Sequence, residues 1–260
     1  MRKLAPSLLT LLALFGTLFL LLPPLALVLH ISWDNVWSAW QGADGSPLWT
    51  SIWTTCLSML VVTLVGTPFA WLLARRRGLF WQACEYLLLI PMLLPPLVIG
   101  LLLIYSYGPY SLIGKFLESI HISATNSALA VIIAQTYEAL PYYVFAAEGA
   151  FMQVDPGMER VSAALGASPF RTFRRITLPL AWPGLSVGLA IAFSRAIGAF
   201  GAVIVIAYNP QTLPVSIWVA LQEQGLQTAL PLALLLLAVA LPLPLIATLW
   251  RRIHDAGLET

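Results

Sequence analysis

Six apolar stretches, each about 20 residues or longer, decide what this chain can become. They lie near Ser7 to Leu29, Trp49 to Ala74, Cys84 to Tyr107, Ser127 to Ala147, Leu180 to Ile206 and Ala229 to Leu249. A hydrocarbon core about 30 Å thick takes about 20 apolar residues to cross as an α-helix, and a helix satisfies its own backbone polar groups there. The chain is therefore read as an all-α polytopic membrane protein with six transmembrane helices. Of its 260 residues 60% are hydrophobic and 9% charged, so no extramembrane domain is accommodated, and 1–260 is read as one transmembrane unit.

Charge asymmetry orients the spans. With both termini inside, the inner segments hold Arg2, Lys3, Arg75, Arg76, Arg77, Arg160, Arg171, Arg174, Arg175, Arg251 and Arg252, the outer ones only Lys115, and Arg195 falls within a span. Arg75 to Arg77 are read as a topological anchor, since the spans on either side argue against a nucleic-acid patch. The first stretch is longer than the apolar part of a signal peptide and no A-x-A site closes it, so it is expected to remain as a helix.

One long polar segment interrupts the apolar pattern, DPGMERVSAALGASPFRTFRRITLP at 155–179. Asp155 followed by Pro156 can start a helix, Gly166 can end it, and Ser168 with Pro169 can start another. In the first short helix Met158, Val161 and Leu165 share a stripe, with Glu159 and Arg160 off it. In the second, Phe170, Phe173 and Ile176 oppose Arg171, Arg174 and Arg175, as suits a helix lying at the headgroup layer.

Charges inside a bilayer are costly and need a partner or a wet cavity. Glu138 and Arg195 fall near the middles of the fourth and fifth spans, so an ion pair between them is expected; the alternative is an arginine facing the pathway and drawing an anion directly. Prolines at 91, 95, 96, 141, 242 and 244 interrupt their spans. Gly184, Gly188, Gly198 and Gly201 give the fifth span a small-residue surface, either between subunits or within the chain.

Covalent chemistry finds no footing. Cys56 and Cys84 are tens of ångströms apart by helix rise, and the three histidines are scattered, so no disulfide, metal set or nucleophile–base cluster is assembled. GPYSLIGKF at 108–116 resembles a phosphate-binding loop, but its glycines are one residue too far apart and Phe116 replaces the Ser or Thr. No span carries the side chains of an intramembrane hydrolase, and a membrane scaffold stays open.

The spacing of Gly166, Ile176, Leu178 and Pro179 resembles the EAA loop of ABC-importer permeases. Arg160, Val161 and Ser162 replace that family's Glu-Ala-Ala, and Glu159 lies one position earlier. GTPFAWLLARRRG, LLLIPMLLPPLVIGLLL and SRAIGAFGAVIVIAYNPQTLPVSIW resemble the molybdate, tungstate and sulfate importer group. Many of those relatives have an acid in place of Ala199, four residues after the arginine, so its counter-charge is expected on the fourth helix, at Glu138.

The resemblance implies a permease of the inner (plasma) membrane, working as a homodimer with two cytoplasmic ATPases that bind the ATP and Mg, and an external binding protein that delivers the solute. No cofactor, metal or nucleic acid is expected in this chain. Molybdate or tungstate is the solute implied, with sulfate, thiosulfate, ferric iron, thiamine and phosphate as alternatives. The resemblance places the ATPase contact on Glu159, Arg160, Ala163, Ala164, Gly166, Ala167, Ser168 and Pro169.

The orientation is checked by thiol labelling. With Cys56 and Cys84 replaced, Arg160→Cys is expected to react with a membrane-impermeant maleimide only from the cytoplasmic side; labelling in intact cells would reverse the topology.

Overall fold

The computed structural model describes residues 4–31, 33, 36, 37 and 46–256, and is helical throughout apart from short connections. Arg2 and Lys3, used above for orientation, lie outside the described residues. In chain order the helices are α1 Leu4–His30, α2 Ser46–Arg75, α3 Leu79–Leu93, α4 Pro96–Tyr107, α5 Leu112–Ser119, α6 Ala128–Met152, α7 Pro156–Ala164, α8 Pro169–Ile197, α9 Gly201–Ile206, α10 Leu213–Glu223, α11 Leu226–Ala240 and α12 Pro242–Ala256. Five stretches are long and apolar enough to cross a membrane, and a sixth is counted if α3 and α4 form one broken span.

The centre of the fold is α6. It runs parallel to α2 at a constant offset, seen in Ser58 with Gln135, Thr67 with Tyr143 and Arg75 with Phe151. On its other side α8 runs antiparallel. A Cβ on Gly184 would lie 2.5 Å from the Ala150 Cβ, and one on Gly188 would lie 2.9 Å from the Ala146 Cβ. Helices approach this closely only where one of them lacks a side chain, which is how association is gained where lipid is as apolar as leucine. The small-residue surface of the fifth span thus serves, at Gly184 and Gly188, packing within the chain.

Two apolar clusters flank α6. One joins α2, α6 and α8 through residues such as Val62, Tyr143, Phe151 and Leu185. The other joins α4, α6, α9 and α10 through Ile99, Val131, Val203 and Val215. Polar side chains are buried in the α2–α6 seam with partners: Gln135 donates to Thr55 Oγ1 at 3.1 Å and accepts from Ser58 at 2.9 Å. The hydroxyl of Ser51 accepts from the Leu213 amide at 2.7 Å, tying α10 to α2. α1 stands apart, with Phe15, Phe19 and the leucines from Leu8 to Leu25 exposed as a lipid-facing surface requires.

Two expected spans are broken. Between α3 and α4 the chain bends by 116°, because Pro95 and Pro96 each push the preceding residue out of the helical region, and Leu94 and Pro95 take extended conformations. The sixth span runs on through Leu241 as one stretch from Leu226 to Leu249, Leu241 keeping a helical conformation although Pro242 supplies no amide donor. The fifth, expected as one helix from Leu180 to Ile206, stops at Ile197. Gly198 to Phe200 leave the helix, and α9 turns to meet α4, where a Cβ on Gly201 would lie 2.6 Å from the Pro96 Cβ. At its other end α8 starts earlier than expected. The helix from Pro169 runs through a π-helical turn at Phe173–Thr177 into the span, so no separate headgroup helix exists. Phe173 is turned inward onto Trp71 and Phe151, with centroids at 5.7 and 6.1 Å, while Phe170 is exposed.

The α6–α8 register is tested by a size exchange. Gly184→Ala is expected to cost about 1–3 kcal/mol of stability through overpacking, read from thermal unfolding in detergent, and Ala150→Gly added to it should restore most of the loss. A single substitution without cost, or a double without recovery, would refute the register.

Candidate functional site

Two polar constellations stand out, one at each end of the α6–α8 contact. The first is the loop at 155–179. Its local structure follows from the residues: Asp155 Oδ1 accepts from the Gly157 amide at 2.7 Å with Pro156 at the first helical position, and Ser168 Oγ accepts from the Arg171 amide at 3.4 Å ahead of Pro169. Gly166 has φ of 80°, and the bonds from Ala167 N to Ser162 O and from Gly166 N to Ala163 O close α7 in a Schellman turn. The hydroxyls of Ser162 and Thr172, 2.8 Å apart and buried, then hold α7 against the start of α8.

Glu159 and Arg75 fix this unit to the bundle. Arg75 Nη2 lies 3.0 Å from Glu159 Oε1 and Nε lies 3.1 Å from Oε2, a forked contact, and Thr177 in the π-helical turn donates to Oε1 at 2.8 Å. The same guanidinium donates to the carbonyls of Phe151, which also accepts from the Val154 amide, and of Val154, each at 3.0 Å, where α6 ends. One side chain from α2 thereby joins the end of α6, the first turn of α7 and the start of α8. Arg75 was expected only as a topological anchor; a charge count carries no information about a partner 84 residues away.

Burial by itself would raise the Glu159 carboxyl, but the Arg75 and Thr177 hydrogen bonds and the Arg75 charge outweigh it and hold it below its ordinary value. The buried Trp71 indole N–H adds to this, although it falls short of hydrogen-bond geometry. Among the loop residues expected to meet an ATPase, Glu159 thus points inward. Arg160, Ala163, Ala164, Gly166, Ser168 and Pro169 are exposed, and Ala167 is half-buried. The stripe of Met158, Val161 and Leu165 faces outward and, with Ala167, Arg171 and Ile176, lines a groove of about 730 Å³.

The second constellation is the intramembrane pair. Seven residues beyond Gly188 on α8, and eight back from Ala146 on α6, Arg195 meets Glu138: Nη2 lies 3.1 Å from Oε2. The carboxylate is fully buried, the guanidinium is 35% exposed, and its carbon sits 5.5 Å from the centroid of the Tyr142 ring. Arg195 is near the C-terminal end of α8, two residues before it stops, and not in mid-helix as expected. Ala199 lies in the break beyond, so the helical four-residue spacing from Arg195 does not persist there.

Residues 66–260 match the family of binding-protein-dependent transport system inner membrane components. The chain belongs to this family. It is 37% identical over 233 residues to the molybdenum transport system permease protein ModB of Mycobacterium tuberculosis, covering 88% of each chain. It is 31% identical over 236 residues to the sulfate transport system permease protein CysT of Salmonella typhimurium, covering 88% of this chain and 85% of that one. Among solved structures, a permease chain of a bacterial alginate ABC transporter, crystallised with its alginate-bound periplasmic protein, has the same fold: the TM-score is 0.75 at 18% identity, covering 96% and 94%. This protein is thus a permease of an ABC importer, and the Arg75–Glu159 clamp and the α7 groove are features of that permease's loop.

The clamp is checked by pH. A carboxyl held below its ordinary value contributes stability that is complete above the unfolded value of about 4.3 and is lost as pH falls through the folded-state value. Glu159→Gln is therefore expected to make the loop amides of 155–179 exchange hydrogen faster than in the wild type at about pH 6, with the difference closing toward about pH 3. Equal exchange at both pH values would remove the clamp as a structural element.

Proposed function

We propose that two copies of this chain form the translocation path of an importer for molybdate or tungstate, driven by two cytoplasmic ATPases and fed by an external binding protein. The observation that carries the reading is the long match to a molybdenum transport permease, which spans the loop, the clamp and the intramembrane pair alike. Sulfate is the second solute, favoured by the match to a sulfate permease of the same group.

The loop geometry supports an ATPase as the partner of α7. An exposed stripe of Met158, Val161 and Leu165 beside Arg160 and Arg171 is an unstable surface in water, and a protein groove with apolar floor and acidic rim suits it. Glu159 is the internal strut of this surface. Partner movement is passed to α2, α6 and α8 through Arg75, Thr177 and the Ser162–Thr172 bond, and alternating exposure of the path follows from the helices moving together. Hydrolysis belongs to the partner, with termini and loop on the cytoplasmic side.

The test is ATP hydrolysis by the chain assembled with its ATPase in liposomes, with binding protein loaded with molybdate, tungstate or sulfate. Stimulation by a loaded form is expected, and the loaded form that stimulates identifies the solute. Assembly without stimulation by any oxyanion would move the solute elsewhere, and failure to assemble would refute the loop as a docking surface.

A further inference from the structure

We propose that the Arg195 guanidinium is an oxyanion subsite of the translocation path, with Glu138 as the buried counter-ion that positions it. This deepens the oxyanion reading above and rests on it.

Accessibility comes first. A groove of about 690 Å³ opens between α6 and α8 at the α7 end, lined by Ala146 and Gly149 on one side and Pro183 and Val187 on the other. Four-residue steps along α8 continue that face from Pro183 and Val187 to Ile191, which is 45% exposed, and then to Arg195. The only basic residue within the expected spans therefore sits at the head of an accessible strip between two helices.

The pair itself is incomplete. Glu138 meets the guanidinium through Oε2 alone; the Ala202 amide at the start of α9 approaches its carboxylate but falls short of hydrogen-bond geometry, and Oε1 and the arginine Nε are both buried without a hydrogen bond, so the fork is not matched to the carboxylate. Nη1 makes no hydrogen bond among the described residues, and the side chain is 35% exposed, which leaves donors free for a ligand. A pair kept purely for packing would close both contacts, because an unmet buried polar atom costs about 1–3 kcal/mol. A tetrahedral oxyanion carries the acceptors that such a half-used guanidinium lacks. Glu138 also sets the strength: a lone buried cation would hold a divalent anion too tightly to release it, whereas a neutralised one attracts it through the remaining donors only. Conduction needs a site favourable enough to enter and weak enough to leave.

The test measures oxyanion imported per ATP hydrolysed in liposomes holding the chain, its ATPase and its loaded binding protein. In Arg195→Gln with Glu138→Gln, which removes both charges and leaves none buried alone, this ratio is expected to fall about tenfold, the equivalent of one charge-assisted hydrogen bond. Arg195→Lys with Glu138 retained, which keeps the cation and its counter-ion, should hold part of the wild-type ratio. A wild-type ratio in the charge-free double variant would overturn the subsite and leave a packing pair. If that variant does not co-purify with the ATPase, the half-exposed neighbour decides: Ile191→Glu is expected to lower the ratio about tenfold and Ile191→Gln to keep it, and two equal ratios would overturn the proposal. A wild type that imports no oxyanion overturns the solute reading instead, whatever the variants do.

Discussion

Two helices in lipid gain little by hiding apolar surface from one another, so α6 and α8 hold together only because Gly184 and Gly188 let their backbones close on Ala150 and Ala146. That contact sets the register of everything along it. Once the glycines are seated, Arg195 has one place to go, opposite Glu138, and the start of α8 has one place to go, beside the end of α6. On the other flank the parallel offset between α2 and α6 brings Arg75 to the same end. The polar groups are thus positioned by packing that contains no charge at all.

Arg75 illustrates how an ion can be held without great cost. Its guanidinium is neither in lipid nor in bulk water; it is divided between one carboxylate and two carbonyls at the end of α6, one of which also accepts from a backbone amide. The helix end needs donors, the arginine needs acceptors, and Glu159 completes the set. The loop is therefore part of the bundle, and its docking face is presented on a rigid support.

Much of this was legible in the residues. Apolar run length located the spans, Asp155, Gly166, Ser168 and Pro169 marked the ends of the loop helices, and the two intramembrane charges pointed to each other because each lacked any other partner. What escaped has physical causes. The breaks after Ile197 and between α3 and α4 follow from local conformation and from Gly201 meeting Pro96, which hydropathy averages away. α10 reads as apolar sequence after a turn and says nothing about the Ser51 hydroxyl that receives its first amide. Arg75 was hidden among three adjacent arginines, and only the fold shows which of them turns inward. Glu159, an acid on the first turn of α7 and off its apolar stripe, was the one available signal.

The unbroken course of α8 has a mechanical consequence. From Pro169 to Gly184 is about 22 Å and from Gly184 to Arg195 about 16 Å at 1.5 Å per residue, so a stiff rod rests on a fulcrum of glycine with a longer arm in the loop and a shorter one at the ion pair. A push of about 1 Å on the long arm displaces the guanidinium by about 0.7 Å in the opposite sense, and glycine, having no side chain to interlock, is the residue on which such a rod can rock.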